Sequence, residues 1–304
     1  MSGESTAIWL ESALLPGGWA RRVRITGRGG VIGSVEQEVD PAEGDERHAL
    51  GVPGLPNLHS HAFQRAIAGL TERRGPTEDS FWTWRELMYQ FVERMDPEQL
   101  EAVTALAFAE MLEAGFTRVG EFHYLHQDRS GVPFADPGEL AGRVVAAAAE
   151  TGIALTLLPT FYAHGGFGGS EPSARQRRFV TDLERFARIV ESSRKAVRAL
   201  TAGNVGVAPH SLRAVTPEEL PRVVALASGG PVHIHVAEQV REVEECVAWC
   251  GRRPIQYLFD AAAVDGRWCL VHATHATHEE LERIARAGAV AGLCPITEAS
   301  LGDG

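Results

Sequence analysis

The stretch GLPNLHSH, residues 54–61, decides how the rest of the chain is interpreted. Pro53 and Gly54 open a short apolar strand that ends in His59 and His61, two histidines separated by one residue. Because successive strand side chains point to opposite faces, His59 and His61 project the same way. Two neutral imidazoles side by side are good ligands for a borderline metal ion such as zinc. The alternative is a chance His-x-His pair in a loop, since so short a motif also recurs by accident.

The composition is that of an ordinary globular protein, with 44% hydrophobic and 23% charged residues. The net charge is -11, from 29 basic and 40 acidic residues, and it argues against a nucleic-acid partner. No apolar run approaches the roughly 18 residues of a membrane span, and the N-terminus lacks the segments of a secretion signal. The four cysteines form no Cys-x-x-Cys pair and fit thiols of a reducing compartment. We therefore expect a cytoplasmic enzyme-sized protein without a membrane partner.

The sequence pattern divides the chain into two parts. Residues 1–50 carry short strand-like pieces at residues 7–10, 20–25 and 31–35, separated by glycine turns, which predict a small β-sandwich portion. Residues 51–304 alternate strands with helices and are predicted to form the second domain. The predicted strands of this domain cover residues 54–61, 116–122, 153–161, 205–209, 232–236, 268–272 and 289–294.

Capping signals place helices between these strands. Asp96-Pro97-Glu98 combines a side-chain cap with proline at the first helical position and an early acid. Capping boxes begin at Thr216 and Thr277, and longer helices are predicted over residues 173–200 and 240–263. Strands apolar enough to be buried on both faces, with helices between them, indicate a parallel sheet.

Two α/β architectures fit such a sheet, a doubly wound open sheet and a (β/α)8 TIM-type barrel. No strand is followed by a glycine-rich phosphate loop, which weakens the case for a dinucleotide-binding sheet. Polar residues collect instead at the carboxyl ends of several different strands, where a barrel keeps its catalytic groups. We therefore predict the barrel, with seven of its eight strands present and a small N-terminal β unit.

Histidines end or follow five of the predicted strands, at His59 and His61, His123, His210, His233 and His235, and His272. A single buried histidine usually only satisfies hydrogen bonds in a core, but five strand ends on one rim favour a metal site. We take His235 as the third ligand and His233 as structural support. Glu238 is well placed to exchange protons with a molecule at the metal, although an acid that favours a helix N-terminus is the plain alternative. His272 is placed to hydrogen-bond water at the metal.

Several segments between residues 50 and 304 carry a likeness to a known family: LPNLHSHAFQRAIAGL, SFWTWRE, VGEFHYLH, APHSLRAV, HIHVAEQ, LVHATH and LCPITEASLGDG. Together they resemble the deaminase branch of the amidohydrolase superfamily, and more narrowly the formimidoylglutamate deiminases. WTWRE and PHSLRAV are more specific than the superfamily motifs. The resemblance implies a zinc-dependent hydrolase of the histidine degradation pathway. Its reaction is the conversion of N-formimino-L-glutamate to N-formyl-L-glutamate and ammonia.

The resemblance also implies a role for each site residue. One zinc ion per chain is expected on His59, His61 and His235, and catalysis is expected of Glu238 and His272. Substrate contacts are expected from Gln64, Arg85, Tyr124, His210 and Arg213. Arginine forks match carboxylates in bidentate geometry, so the two arginines suit a small dicarboxylate substrate.

One departure from the family concerns the end of the sequence. The superfamily barrel has an eighth strand whose final aspartate ligates the metal and takes the proton of the water. The present sequence stops at Gly304 after the seventh strand, and we do not equate Asp303 with that aspartate. We expect residues 1–304 to be part of a longer protein, truncated at its C-terminus.

Two other functions stay open at this point. One is another amidohydrolase deaminase acting on a nucleobase or a related amidine. The other is a catalytically inert barrel that serves as a binding protein. Whether the protein forms a homodimer is also open.

Overall fold

A computed structural model of the protein describes residues 5–71 and 81–302. Residues 72–80, which include the first residue of the SFWTWRE motif, and Asp303 lie outside the described residues. The strands are β1 (Ser5–Leu15), β2 (Gly18–Arg28), β3 (Val31–Glu36), β4 (Glu46–Gly51), β5 (Leu55–Ser60), β6 (Phe116–His123), β7 (Ala154–Phe161), β8 (Asn204–Val205), β9 (Ala208–Pro209), β10 (Val232–Val236), β11 (Trp268–His272) and β12 (Val290–Gly292).

The helices are α1 (Phe81–Val92), α2 (Pro97–Glu113), α3 (Glu139–Thr151), α4 (Leu183–Val197), α5 (Leu220–Ala225), α6 (Val240–Cys250), α7 (Pro254–Ala261), α8 (His278–Ala287) and α9 (Pro295–Leu301). Short 3-10 helices cover Ala62–Ile67 and Ala174–Gln176. Among these described helices, none combines the length and the apolar character needed to cross a membrane.

Met1–Leu55 together with Gly115–Thr117 form one compact unit, built on a four-stranded sheet in the order β3-β2-β1-β4. β1 and β2 pair antiparallel across a tight turn between Leu15 and Gly18, and Gly18 has a φ of +110° that favours glycine. β4 pairs parallel with β1. The sequence analysis missed β4 because its residues are mostly exposed and show no apolar alternation. The small core of this sheet is formed by Leu10, Ala13 and Val23.

The second unit contains Pro56–Ala114 and Arg118–Gly304, and its strands lie side by side in chain order. The order is β5-β6-β7-β8, with β9 also beside β7, and then β10-β11-β12. Single parallel bridges from Val207 to Val232 and from Ser211 to His235 connect the β9 segment to β10. A doubly wound sheet reverses its strand order at a switch point, but within the described residues this order never reverses. The predicted barrel-type α/β fold is confirmed.

The central strands are buried on both faces, and one face of β10 carries the histidines while the other carries apolar residues. All five residues of β10 are buried, as are all five of β11. The apolar residues of β10 pack in one core cluster with Leu258 of α7 and Ile284 of α8. His233 and His235 alternate with these apolar residues and therefore face the opposite side of the strand.

Two helices that were predicted as long are shorter in the structure. Residues 173–200 contain a 3-10 turn and then α4, which begins where the Asp182 carboxylate accepts the backbone N–H of Arg185. Residues 240–263 are divided at Gly251, whose left-handed φ of +71° ends α6 before α7 begins. The predicted side-chain caps at Asp96 and Thr277 are confirmed.

Candidate active site

Three histidine side chains converge at the carboxyl ends of β5 and β10. Nε2 of His59 lies 3.0 Å from Nε2 of His61 and 3.1 Å from Nε2 of His235, and the third side of the triangle is 3.3 Å. Zinc–nitrogen bonds of about 2.0–2.1 Å place two tetrahedral ligands about 3.3 Å apart. The three Nε2 atoms therefore stand close to the positions that such an ion requires.

Hydrogen bonds on the far side of two of these rings fix their orientation. Nδ1 of His61 lies 2.9 Å from the carbonyl of Phe122, and Nδ1 of His235 lies 3.0 Å from the carbonyl of His210. A carbonyl only accepts, so each Nδ1 carries the proton and each Nε2 keeps its lone pair. This is the tautomer that ligates a metal through Nε2.

The rings of the triangle are held neutral. Burial is the largest cause and lowers the pKa of His59 and His235 well below the ordinary value, with neighbouring histidines adding to the effect. Burial also lowers the pKa of His61 to about 4, although its hydrogen bond to Phe122 acts in the opposite direction. Neutral imidazoles whose lone pairs face one another repel, and a shared cation relieves that repulsion. The donor set therefore fits a divalent ion of the zinc type.

A buried glutamate holds the turn that follows the first histidine pair. Glu121 of β6 is only 1% exposed, and its Oε1 accepts the backbone N–H of Ala62 at 2.8 Å. Burial raises the pKa of Glu121 to about 8, against the opposing hydrogen bonds from Ala62 and Ser60. The sequence analysis did not single out Glu121, because no motif shows which backbone amide a glutamate meets.

Glu238 and His272 lie beside the histidine triangle. The ring of His272 stacks on that of His235 with 5.6 Å between centroids, and its Nε2 is 3.6 Å from Oε1 of Glu238. Both residues are buried, and the turns that carry them have left-handed backbones, with φ of +52° at Ala237 and +69° at His272. Such conformations cost energy in non-glycine residues and persist where the surrounding structure enforces them, which is common at active sites.

Two acidic side chains that the sequence analysis did not assign hold these turns. The buried carboxylate of Glu242 accepts the backbone N–H groups of Ala237 and Glu238, at 3.1 Å and 3.0 Å. Glu298 of α9 lies 3.1 Å from Nδ1 of His272, which leaves Nε2 of that ring to face the site. Glu298 is 26 residues from His272 along the chain, so spacing alone does not reveal this contact.

The ten site residues predicted from the sequence all line one cavity of about 720 Å³. The histidine triangle, Glu238 and His272 form one group within it. The predicted substrate residues form a second group, in which Nε2 of Gln64 donates to the Tyr124 hydroxyl at 2.9 Å. The ring of His210 packs edge-on against Tyr124, with 5.5 Å between centroids. The structure therefore brings these ten residues together around one cavity.

Arg213 brings a positive charge to this cavity. Its NH1 is buried and has no hydrogen-bond partner within residues 5–71 and 81–302. Burial acts against the charge of Arg213, but the nearby carboxylates of Glu242 and Glu238 outweigh it and raise the pKa above its ordinary value. The guanidinium of Arg85 lines the same cavity, 5.7 Å above the centroid of the Tyr89 ring. This part of the cavity suits an anionic ligand.

Comparison with known proteins places the chain in a family. The sequence pattern of the amidohydrolase family matches residues 51–304, so the chain belongs to that family. Residues 5–49 match the pattern described as the N-terminal domain of formimidoylglutamate deiminase HutF.

The relatives include formimidoylglutamate deiminase of Pseudomonas aeruginosa, which is 52% identical over 98% of this chain. The chain spans 66% of the length of that protein. The 8-oxoguanine deaminase of the same organism is 28% identical, over 90% of this chain and 60% of its own length.

Solved structures show the same fold. The crystal structure of an amidohydrolase from Brucella melitensis is 58% identical and has a TM-score of 0.96, covering 98% of this chain and 67% of that one. An adenosine deaminase from Xanthomonas campestris with bound zinc has a TM-score of 0.73 at 22% identity, covering 98% of this chain and 64% of that one. At that identity the second likeness concerns the fold alone.

Proposed function

We propose that the protein hydrolyses N-formimino-L-glutamate to N-formyl-L-glutamate and ammonia, a step in histidine degradation. The observation that carries the proposal is one cavity lined both by a triangle of neutral histidines and by the buried guanidinium of Arg213. The first group suits hydrolysis of a carbon–nitrogen bond, and the second suits a substrate with carboxylates. The 52% identity to the Pseudomonas aeruginosa deiminase supports the same reaction.

We propose zinc as the metal and His59, His61 and His235 as the residues that hold it. Three neutral imidazole nitrogens are a common zinc ligand set. When bound, such an ion supplies a Lewis acid that lowers the pKa of water and polarises the group under attack. The hydrogen bonds from His61 to Phe122 and from His235 to His210 keep the ligand rings oriented whether or not an ion is present.

We assign proton transfer to Glu238. Hydrolysis forms a bond from the water oxygen to the formimino carbon and breaks the bond from that carbon to the terminal nitrogen. The terminal nitrogen of the neutral formimino group carries one hydrogen, so both protons of the water must reach it, one after the other, before it departs as ammonia. Oε1 of Glu238 lies 3.6 Å from Nε2 of His272, so the carboxylate stands beside the histidine group and is placed to carry these protons.

We assign to His272 the role of orienting the attacking oxygen. Glu298 accepts a hydrogen bond from its Nδ1, so the lone pair lies on Nε2, on the side of Glu238. A lone pair there accepts a hydrogen bond from water and directs the oxygen toward the substrate carbon. Stacking of the His272 ring on His235 keeps this nitrogen close to the triangle.

We propose that the remaining residues bind the glutamate part of the substrate. Arg213 and Arg85 bind its carboxylates, since planar guanidinium groups match carboxylates in bidentate geometry. Gln64, Tyr124 and His210 line the same cavity, and Tyr124 and His210 pack beside His61 and His235, so we assign to these three the orientation of the formimino group. The proposed domain organisation is a small β domain in residues 1–50 and a catalytic domain in residues 51–304.

The proposal is tested by measuring ammonia release from N-formimino-L-glutamate and from 8-oxoguanine by the zinc-loaded protein. The 28% identity to a deaminase of 8-oxoguanine makes this purine the fitting competitor. We expect turnover of the formimino compound and inhibition by dicarboxylates such as glutarate. Turnover of the purine alone would assign the protein to the nucleobase deaminases. Ammonia release from neither compound would favour the inert binding protein.

A further inference from the structure

A fixed hydrogen-bond chain runs from Ser173 to Tyr162 at the wall of the cavity. The buried amide of Gln176 accepts the backbone N–H of Ser173 through Oε1 at 2.7 Å. This contact sets the orientation of the amide, so Nε2 is the atom that faces the Tyr162 hydroxyl at 2.5 Å. An amide nitrogen only donates, and the Tyr162 oxygen is therefore the acceptor.

The Tyr162 hydroxyl thus keeps its own proton for another partner. Burial is the largest cause and raises the pKa of Tyr162, whereas the charges of Arg213 and Arg85 and the hydrogen bonds with Gln176 and Tyr89 lower it. The Tyr89 hydroxyl also lies within hydrogen-bonding reach of Tyr162, and either hydroxyl of this pair can donate. An ionised carboxylate in the cavity is a stronger acceptor than a neutral phenol oxygen and draws the Tyr162 proton when it binds. The side chain is 8% exposed and lines the cavity, so the open direction is toward a bound ligand.

The charges around Tyr162 indicate which ligand atoms it meets. Arg213 and Arg85 both act on Tyr162 as nearby positive charges and line the same cavity. The Tyr162 ring is held against His210, with 4.6 Å between centroids. A hydroxyl proton pointing into a cavity with two arginines has an anionic oxygen as its natural acceptor. A carboxylate offers about four acceptor positions, enough to accept from Tyr162 and an arginine together.

We propose that Tyr162 is a substrate-binding residue that donates its O–H to the carboxylate bound by Arg213. This assignment rests on the proposed function for the identity of the carboxylate. Gln176, held by Ser173, is the residue that turns the Tyr162 proton toward the ligand. Charge-assisted O–H···O⁻ bonds are short and strong, so Tyr162 adds to selection of dicarboxylates over neutral ring compounds.

The experiment measures binding of glutarate to the zinc-loaded protein by isothermal titration calorimetry. Tyr162→Phe removes one oxygen and keeps the ring, so the fold is expected to survive, which a melting curve checks. Tyr257→Phe is the matched control, because Tyr257 lies on α7 and does not line the cavity. Arg213→Met and the double variant Tyr162→Phe/Arg213→Met complete a double-mutant cycle.

We expect Tyr162→Phe to weaken glutarate binding by about 10-fold or more, the range of one charge-assisted hydrogen bond. In the Arg213→Met background the same change should weaken binding by less than about 3-fold, because both residues act on one carboxylate. The inference is overturned by wild-type affinity in Tyr162→Phe, by an equal loss in Tyr257→Phe, or by full additivity in the cycle.

Binding of glutarate does not require turnover, so the two proposals fail separately. If the protein releases no ammonia but binds glutarate through Tyr162, this inference stands and the proposed function is refuted. If Tyr162→Phe deiminates the substrate and binds glutarate as well as the unaltered protein does, the proposed function stands and this inference is refuted. Absence of glutarate binding in the unaltered protein would overturn the carboxylate subsite itself.

Discussion

Arg213→Met should weaken the binding of N-formimino-L-glutamate without stopping the chemistry. Arg213 has a buried NH1 with no partner in the described part of the chain, so a substrate carboxylate gives it a new charge-assisted hydrogen bond. Such bonds contribute about 1.5–3 kcal/mol, which corresponds to a rise in KM of roughly 10- to 150-fold. In the proposed function the reacting carbon is held at the histidine triangle, so we expect kcat to change much less than KM.

The assay is steady-state release of ammonia over a wide range of substrate concentration, with melting curves for each variant. Arg188→Met is the matched control, since Arg188 lies on the exposed face of α4 and pairs with Glu184 at the surface. Such exposed pairs contribute little to stability, and this variant should keep the normal KM. The KM of Arg213→Lys should lie between those of Arg188→Met and Arg213→Met, because lysine keeps the positive charge but lacks the planar guanidinium fork. A normal KM in Arg213→Met would refute the assignment of a carboxylate to Arg213.

Three further predictions concern acidic residues around the site. Glu238→Gln should retain metal and substrate affinity while lowering kcat by about 100-fold or more, the range for a lost proton-transfer group; near-normal turnover would place the proton transfer elsewhere. Glu298→Ala should lower kcat and alter its pH profile, because the His272 ring loses the acceptor at Nδ1, whereas Glu298→Gln should recover part of the rate; equal effects of the two changes would contradict this. Glu121 has a pKa of about 8 in the folded protein, above the value of about 4.3 for a free glutamate. At this group the folded state then binds more protons than the unfolded state between these values, so the contribution of Glu121 to stability should fall as pH rises from about 4 to 8, whereas the buried neutral histidines contribute with the opposite sign. Glu121→Gln should flatten this dependence in thermal melts of the metal-free protein, and an unchanged slope would argue against it.

Local sequence signals predicted the strands and the strand-end residues well. β10 and β11 are short apolar runs, and their predicted bounds coincide with the structure because burial on both faces leaves a clear pattern. The N-termini of α2 and α8 were also predicted correctly, because Asp96 and Thr277 cap these helices through hydrogen bonds to backbone groups only three residues away. Interactions of this kind are contained in the sequence itself.

The errors lie where the backbone bends between elements. The predicted strand over residues 205–209 is divided into β8 and β9 at Gly206, where a Cβ atom would lie 2.3 Å from the carbonyl oxygen of Pro231. That close approach comes from a neighbouring segment and leaves no periodic signal. Gly251 similarly divides a predicted helix by adopting a left-handed backbone. The presence of a glycine in the sequence does not predict whether its backbone is left-handed or closely packed in the folded protein.

Residues that act through other residues were the hardest to predict. Glu121 and Glu298 have no motif of their own, and each acts through a contact that only the folded chain creates. Gln176 belongs to a capping box with Ser173 that was not predicted from the sequence, and its contact with Tyr162 also depends on the fold. The His-x-His pair and Glu238, by contrast, carry their chemistry in residue type and spacing. The sequence therefore identified the groups proposed to touch metal and substrate, and the structure identified the groups that orient them.

The most direct test of the central claim joins metal content to turnover. Elemental analysis and ammonia release from N-formimino-L-glutamate are measured on the same preparations of unaltered protein, chelator-stripped protein and His61→Ala. We predict one zinc ion per chain and deimination in the unaltered protein, loss of both on stripping, and recovery of both when zinc is added back. His61→Ala should neither bind zinc tightly nor regain activity. Equal metal content in His61→Ala, or full activity in the stripped protein, would contradict a metal-dependent deiminase built on this histidine triangle.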